Sequence, residues 1–268
     1  MPRHCYVLRV FTRGDEGGNH LGVVTDATSL TTASMQAIAV DLGFSETIFL
    51  EWREGEIPYV RIFTPGAELP FAGHPLVGMA WTLKTLGPGG PDTLRCEAFE
   101  VAIRLDGELT AIEVPLGQTV RPVPEAASLA AAVGLPEPVS ARWVDMPLPY
   151  LLIEVASAAA VSAAEPASEA EFARAGADMV YLYAFASPSV VQARFFAPGH
   201  GVFEDPATGS AAVALSAALR AEGRASGRLE IRQGSEIGHP SSINLEWHGA
   251  QASIGGTVRK DEVRWLDI

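Results

Sequence analysis

The chain has 268 residues, with 19 Lys plus Arg against 32 Asp plus Glu, a net charge of −13. That balance argues against a nucleic-acid surface and against binding to an anionic membrane, both of which need clustered basic residues. Two cysteines, Cys5 and Cys96, exclude a disulfide framework and a multi-cysteine metal site. No apolar run approaches the roughly 18 residues of a membrane span. The first residues enter strand-like alternation at once, without a signal peptide's long apolar region. A soluble, cytoplasmic protein is the expectation.

In chain order, Ser34 to Leu42 predicts a helix, because Met35, Ile38 and Leu42 recur at helical spacing and Gly43 suits a stop. Glu46 to Leu50 and Tyr59 to Phe63 read as strands. Pro75 to Leu86 is a helix with apolar residues around its whole circumference, so it must be enclosed on all sides. Leu94 to Arg104 and Thr110 to Val114 read as strands, and the Pro-containing stretch from Leu116 to Pro124 as a linker. Beyond it, Ser168 to Ala175 is a helix followed by Gly176, and Met179 to Tyr183 and Val190 to Phe196 are strands. Ser210 to Leu219, made of Ala, Val, Leu and Ser, is a second enclosed helix. Leu229–Arg232, Ile243–Trp247 and Ala252–Ile254 complete the strands.

This order contains a duplication. Arg61-Ile-Phe-Thr-Pro-Gly66 and Arg194-Phe-Phe-Ala-Pro-Gly199 agree at four of six positions, 133 residues apart. Glu68-Leu-Pro-Phe-Ala-Gly-His74 faces Glu204-Asp-Pro-Ala-Thr-Gly-Ser210 at an offset of 136, so the second copy carries a loop three residues longer. A period of half the chain means a duplicated domain. The reading is an α+β fold of two pseudo-symmetric domains, residues 1–117 and 125–255, each a curled, mostly antiparallel sheet around a central helix. Residues 256–268 are expected to pack on the first domain.

Both enclosed helices open on glycine, with Gly73-His74-Pro75 in one copy and Thr208-Gly209-Ser210 in the other, where Ser210 suits an N-cap. Free N–H groups and the helix dipole make each start an anion site. If the copies face each other, the two starts converge on one cleft that can hold a carboxylate. Glu46 opens an apolar strand, and its place in the second copy is taken by Met179. A carboxylate in one copy only suits a single acid/base, and burial would lift its pKa toward neutrality. Asp205 is likewise one-sided, facing Leu69. His74 can relay a proton or cap its helix. The remaining histidines (His4, His20, His200, His239 and His248) lack metal-ligand spacing, so no metal is expected. No Gly-rich phosphate loop follows a strand, so no nucleotide cofactor is indicated.

Taken together, Glu46 within Gly-Phe-Ser-Glu-Thr, the run Thr64 to Pro75 and the run Phe196 to Ala211 resemble the phenazine-biosynthesis PhzF-like isomerase family. The Val10-Phe-Thr…Gly18-Asn19 and Gln233 to Ser241 stretches add to the resemblance, which covers nearly the whole chain. It implies a diaminopimelate-epimerase-like fold, cofactor-independent proton transfer between carbons of a small carboxylate substrate, and a homodimer. The family's best-known activity is isomerisation of trans-2,3-dihydro-3-hydroxyanthranilate. By resemblance, Glu46 is the acid/base, His74 and Asp205 line the site, and Asn19, Gly73, Gly209 and Ser210 contact substrate. Two positions depart from the family pattern: His20 stands where Pro is usual and His239 where Arg is usual. Both bear on substrate identity, since His and Arg differ in charge and geometry. Two alternatives remain at this point. One is a non-catalytic small-molecule binding protein. The other is a racemase, which would want a cysteine at each helix start, where this chain has Ala72-Gly73 and Thr208-Gly209.

Overall fold

The computed structural model describes residues 3–52, 55–86 and 90–266. The expected outer limits, residues 1 and 268, lie outside the described residues. β1 (Arg3–Thr12) and β2 (Asn19–Val24) pair antiparallel, with Val7 opposite Gly22. Helix α1 (Thr32–Leu42) crosses back, so that β3 (Glu46–Glu51) lies parallel to β2. Thr31 caps it by accepting from the Ser34 amide, and Gly43 ends it in the left-handed region. β4 (Tyr59–Phe63) returns antiparallel to β3, and the short β5 (Glu68–Leu69) pairs with β4. Helix α2 (Gly73–Leu86) follows, then β6 (Thr93–Arg95), parallel to β4, and the hairpin of β7 (Glu100–Asp106) and β8 (Leu109–Pro115).

After β9 (Thr119–Pro122) and α3 (Ala126–Ala132) the same pairing pattern recurs. β10 (Pro138–Asp145) and β11 (Pro149–Val155) are antiparallel. Helices α4 (Ala158–Ser162) and α5 (Glu169–Ala175) return the chain to β12 (Val180–Ser187), parallel to β11. β13 (Val190–Ala197) and β14 (Val202–Asp205) continue antiparallel, and α6 (Gly209–Ala221) leads to β15 (Ser226–Gln233), parallel to β13. β16 (Ser241–His248) and β17 (Gln251–Leu266) close the set. The registers carry the sequence offset: Thr47 faces Phe63 as Val180 faces Phe196, each 133 residues on.

β8 and β17 join the halves as an antiparallel pair, with Ile112 opposite Ile254. Beyond that point each half lends a strand to the other. The second part of β17 pairs with β1 as far as Leu266 opposite Arg3, and β9 pairs with β10. One main core results. Ten residues of α2 are buried, as is every residue of α6 from Gly209 to Leu219. Each buried Leu, Val or Met adds about 1.5–3 kcal/mol over leaving it exposed. A second cluster lies between α3, α4, α5 and the β10–β12 strands, and a third between α1 and β3–β4.

Several sequence expectations are corrected. Leu94 to Arg104 is two strands, because Cys96 N–H turns back to the Phe99 carbonyl at 2.9 Å. The stretch from Leu116 to Pro124 is not wholly a linker, since β9 within it is paired. The strand expected at Ala252–Ile254 runs 16 residues. β10 and β11 add two strands to those expected. Thr208, rather than Ser210, is the N-cap of α6; Ser210 sits inside its first turn.

Candidate active site

The two central helices meet end to end at their N-termini. A Cβ on Gly73 would lie 2.8 Å from the Gly209 backbone, and one on Gly209 would lie 3.2 Å from Gly73 Cα. Only glycine permits this approach. Gly73→Ala therefore forces the two starts apart, and it should cost both thermal stability and turnover, read by a melting curve and an assay on one preparation.

Around this junction the polar side chains of both halves form one network. The Asn19 amide donates to Asp205 Oδ1 at 2.8 Å and lies 3.3 Å from both His74 Nδ1 and the Ala207 carbonyl. Ser45 donates to Asn19 Oδ1 at 3.2 Å. Thr208 Oγ1 donates to Asp205 Oδ2 at 2.6 Å. Gln233 Nε2 binds the Asp205 carbonyl at 2.7 Å and Thr208 Oγ1 at 2.9 Å. Gln233 lies in the resembling C-terminal run, but nothing in its local sequence marks a side chain folded under the Asp205 loop. On the far side of the junction, the Tyr150 hydroxyl donates to Ser210 Oγ at 2.7 Å.

Glu46 Oε2 and His74 Nε2 face each other at 3.4 Å, and both are buried without a hydrogen-bond partner. That separation is long for a formed hydrogen bond. Two unpaired polar atoms aimed at one point inside a protein cost stability, and such positions are where ligands are received. Burial raises the Glu46 pKa well above its ordinary 4.5, and the nearby Asp205 charge raises it further. Asp205 is raised too, first by burial, against the hydrogen bonds from Thr208, Asn19 and Ser45 that favour its charged form. Two close carboxyls cannot both ionise easily. The donors around Asp205 place the negative charge there and the shared proton on Glu46. Burial lowers the His74 pKa to about 3, offset in part by a hydrogen bond with the His20 backbone, so its imidazole is neutral.

These shifts set opposite pH dependences of stability. Glu46 binds its proton more tightly folded than unfolded. Its contribution is full below pH 4.5 and is lost as pH rises through the raised folded value. His74 binds its proton less tightly folded; its contribution is full above pH 6.5 and is lost as pH falls toward about 3. Glu46→Gln should therefore melt higher than the wild type at pH 8, by about 2–4 °C for each kcal/mol recovered. The gap should close as pH approaches 4.5. A gap independent of pH would contradict a proton on Glu46.

The cleft wall opposite the network is apolar: Leu69 and Phe71 from one half, Leu148, Met179 and Phe195 from the other. Met179 and Leu69 are the duplication mates of Glu46 and Asp205, so each carboxylate faces the cleft opposite an apolar counterpart. Thr64 and His200 stand at the same cleft. His200 comes from the loop that is longer in the second copy. The structure thus brings Asn19, Glu46, Gly73, His74, Asp205, Gly209 and Ser210 together. Cys5 and Cys96 are buried elsewhere, and burial pushes the Cys5 thiol up to about 11, which keeps it protonated. His20 lies outside the cleft, stacked on Phe44 with ring centroids 5.7 Å apart and edge-on to His239 at 5.7 Å.

The relatives identify the chain as an isomerase, built from two halves that repeat one strand pairing. The chain matches the family described as Phenazine biosynthesis-like protein over residues 8–259, and it belongs to that PhzF-like family. It is 34% identical to an uncharacterised isomerase of Mesorhizobium japonicum, over 96% of each chain. It is 32% identical to the trans-2,3-dihydro-3-hydroxyanthranilate isomerase of Pseudomonas chlororaphis, over 89% of this chain and 88% of the relative. Among solved structures, a protein described as a predicted epimerase from Pseudomonas aeruginosa superposes over 100% of both chains with a TM-score of 0.83 at 30% identity. The fold is the α+β, diaminopimelate-epimerase-like one.

Proposed function

We propose that this isomerase moves a proton between carbons of a small carboxylate substrate without a cofactor, with Glu46 as the acid/base. The observation that carries this is the buried, unpartnered Glu46 Oε2 facing His74 Nε2 beside two converged helix starts. A proton shifted within one bound molecule needs a group that gives it and takes it back. A carboxyl whose pKa is lifted toward working pH does both. As the C–H bond breaks, charge spreads into the substrate. The N–H groups at Gly73 and at Gly209–Ser210 can hold that charge or the substrate carboxylate, with no reorganisation needed at the moment of reaction.

In this reading Asp205 stays ionised, orients substrate and raises the Glu46 pKa, so that Glu46 gives back readily the proton it has taken. His74, neutral, donates or accepts a hydrogen bond at the reacting face, and Asn19, from the first half like His74, ties it to Asp205 of the second. We take residues 1–117 and 125–255 as the two cooperating domains, with 256–268 packing on the first. The relatives named for trans-2,3-dihydro-3-hydroxyanthranilate suggest an unsaturated cyclic carboxylate, which suits the apolar wall. A cytoplasmic homodimer is the expected setting, which sedimentation can test. The decisive experiment is solvent-deuterium exchange into trans-2,3-dihydro-3-hydroxyanthranilate or a related carboxylate. The wild type should exchange substrate C–H and Glu46→Gln should not; equal exchange by both would remove Glu46 from the mechanism.

A further inference from the structure

We propose that Tyr150 is a positioning residue for substrate binding, fixing the Ser210 hydroxyl at the start of α6 so that it donates into the cleft. The inference rests on the reading above, which puts a carboxylate or its enolate at that helix start. Tyr150 and Ser210 are 4% and 5% exposed, and both line the cleft with Glu46 and Asp205. The Tyr150 hydroxyl donates to Ser210 Oγ at 2.7 Å. Among the described residues this is the one side-chain hydrogen bond of Ser210. It occupies a lone pair of Oγ and leaves the serine hydrogen for a ligand oxygen. The serine thereby adds a side-chain donor to the backbone N–H groups of the same turn.

The duplication isolates the pair. Leu21 faces Glu46 in the first half, and Leu151 faces Val180 in the second. By that register Tyr150 stands where the first half has Leu21, and Ser210 where it has His74. The first half therefore directs a histidine at the acid, while the second directs a tyrosine-locked serine at the anion. Burial raises the Tyr150 pKa, the Ser210 bond opposes this, and the charges of Glu46 and Asp205 add to the rise. Its hydroxyl stays a donor across the working pH range. The Tyr150 ring also packs against Phe195, with centroids 5.7 Å apart. Tyr150→Phe keeps that packing and removes only the hydroxyl.

The test is a double-variant cycle on binding of 3-hydroxyanthranilate and benzoate, read by calorimetry, with melting curves as the control for folding. Tyr150→Phe should weaken binding about tenfold, the order of one hydrogen bond. Ser210→Ala should weaken it by as much or more. In the Ser210→Ala background, Tyr150→Phe should have no further effect. Its kcat should fall far less than its KM rises, and the pH dependence set by Glu46 should not move. An equal loss in both backgrounds means that Tyr150 acts on ligand or packing directly and overturns the proposal, as does no loss at all. Wild type binding neither probe at millimolar concentration overturns the helix start as a carboxylate site. If Glu46→Gln keeps deuterium exchange while the cycle shows coupling, the acid/base assignment fails and the Tyr150 proposal stands.

Discussion

Glu46→Gln should turn over about 10²–10⁴-fold more slowly than the wild type, the range lost when a positioned acid/base is removed. The substitution keeps size and hydrogen-bonding shape. The cleft walls and both helix starts are untouched, so binding of a carboxylate should change little, and the loss should fall on kcat rather than KM. Glu46→Asp should recover part of the rate, because its carboxyl is set back by one methylene from the His74 side of the cleft. The wild-type rate should rise with pH through the raised pKa of Glu46, since the ionised form accepts the proton. Asp205→Asn should move that limb to lower pH, because a neutral neighbour no longer opposes ionisation of Glu46. If Glu46→Gln matches the wild type, Asp205, the other buried carboxylate at the cleft, becomes the base.

Much of this site is legible in sequence because it is written as a duplication with exceptions. The repeat of Arg-x-Phe and of Pro-x-x-Gly aligned the halves, and Glu46 against Met179 and Asp205 against Leu69 stood out as breaks. α1, α2, α5 and α6 followed from apolar spacing and glycine stops, and β3, β4 and β13 from short β-rich runs. What sequence did not show depended on contacts between distant segments. β9 is four residues with Pro122 at its end, and only pairing with β10 makes it a strand. The tail of β17 carries Lys260, Asp261, Glu262 and Arg264, a charged run without strand-like alternation, held by β1 along its length. Tyr150 was invisible for the same reason: it sits in an apolar run and becomes polar machinery only where its hydroxyl meets Ser210. The proton balance between Glu46 and Asp205 needed the donors on Asp205, which arrive from Asn19 and Thr208 in different halves.

Arg194→Met should destabilise the protein by about 3–5 kcal/mol, the range for breaking a buried ion pair from one side. Arg194 donates from Nε and Nη2 to the two oxygens of Glu204 at 2.8 and 2.7 Å, and from Nη1 to the Ala164 carbonyl at 2.6 Å. Its guanidinium lies over Phe196, 5.0 Å from the ring centroid. Both charged side chains are only 8% exposed. Removing the arginine leaves Glu204 and the Ala164 carbonyl without their donor, and that desolvation penalty is most of the cost. The first half contains the same device: Arg61 grips Glu68 and lies over Phe63. That pair is more open, at 17% and 31%, so Arg61→Met should cost clearly less. The comparison by chemical denaturation is internal, since the two pairs share geometry and differ in burial. The double variant Arg194→Met, Glu204→Leu should regain much of the loss, because no charge then remains buried. Stability and chemistry should nevertheless separate in it. Phe196 faces Glu204 and Phe195 faces Asp205 across β13 and β14, so the ion pair also fixes the strand that delivers Asp205 to the cleft. The double variant should fold and yet turn over more slowly than the wild type; full activity would mean that Asn19, Thr208 and Gln233 suffice to hold Asp205 in place.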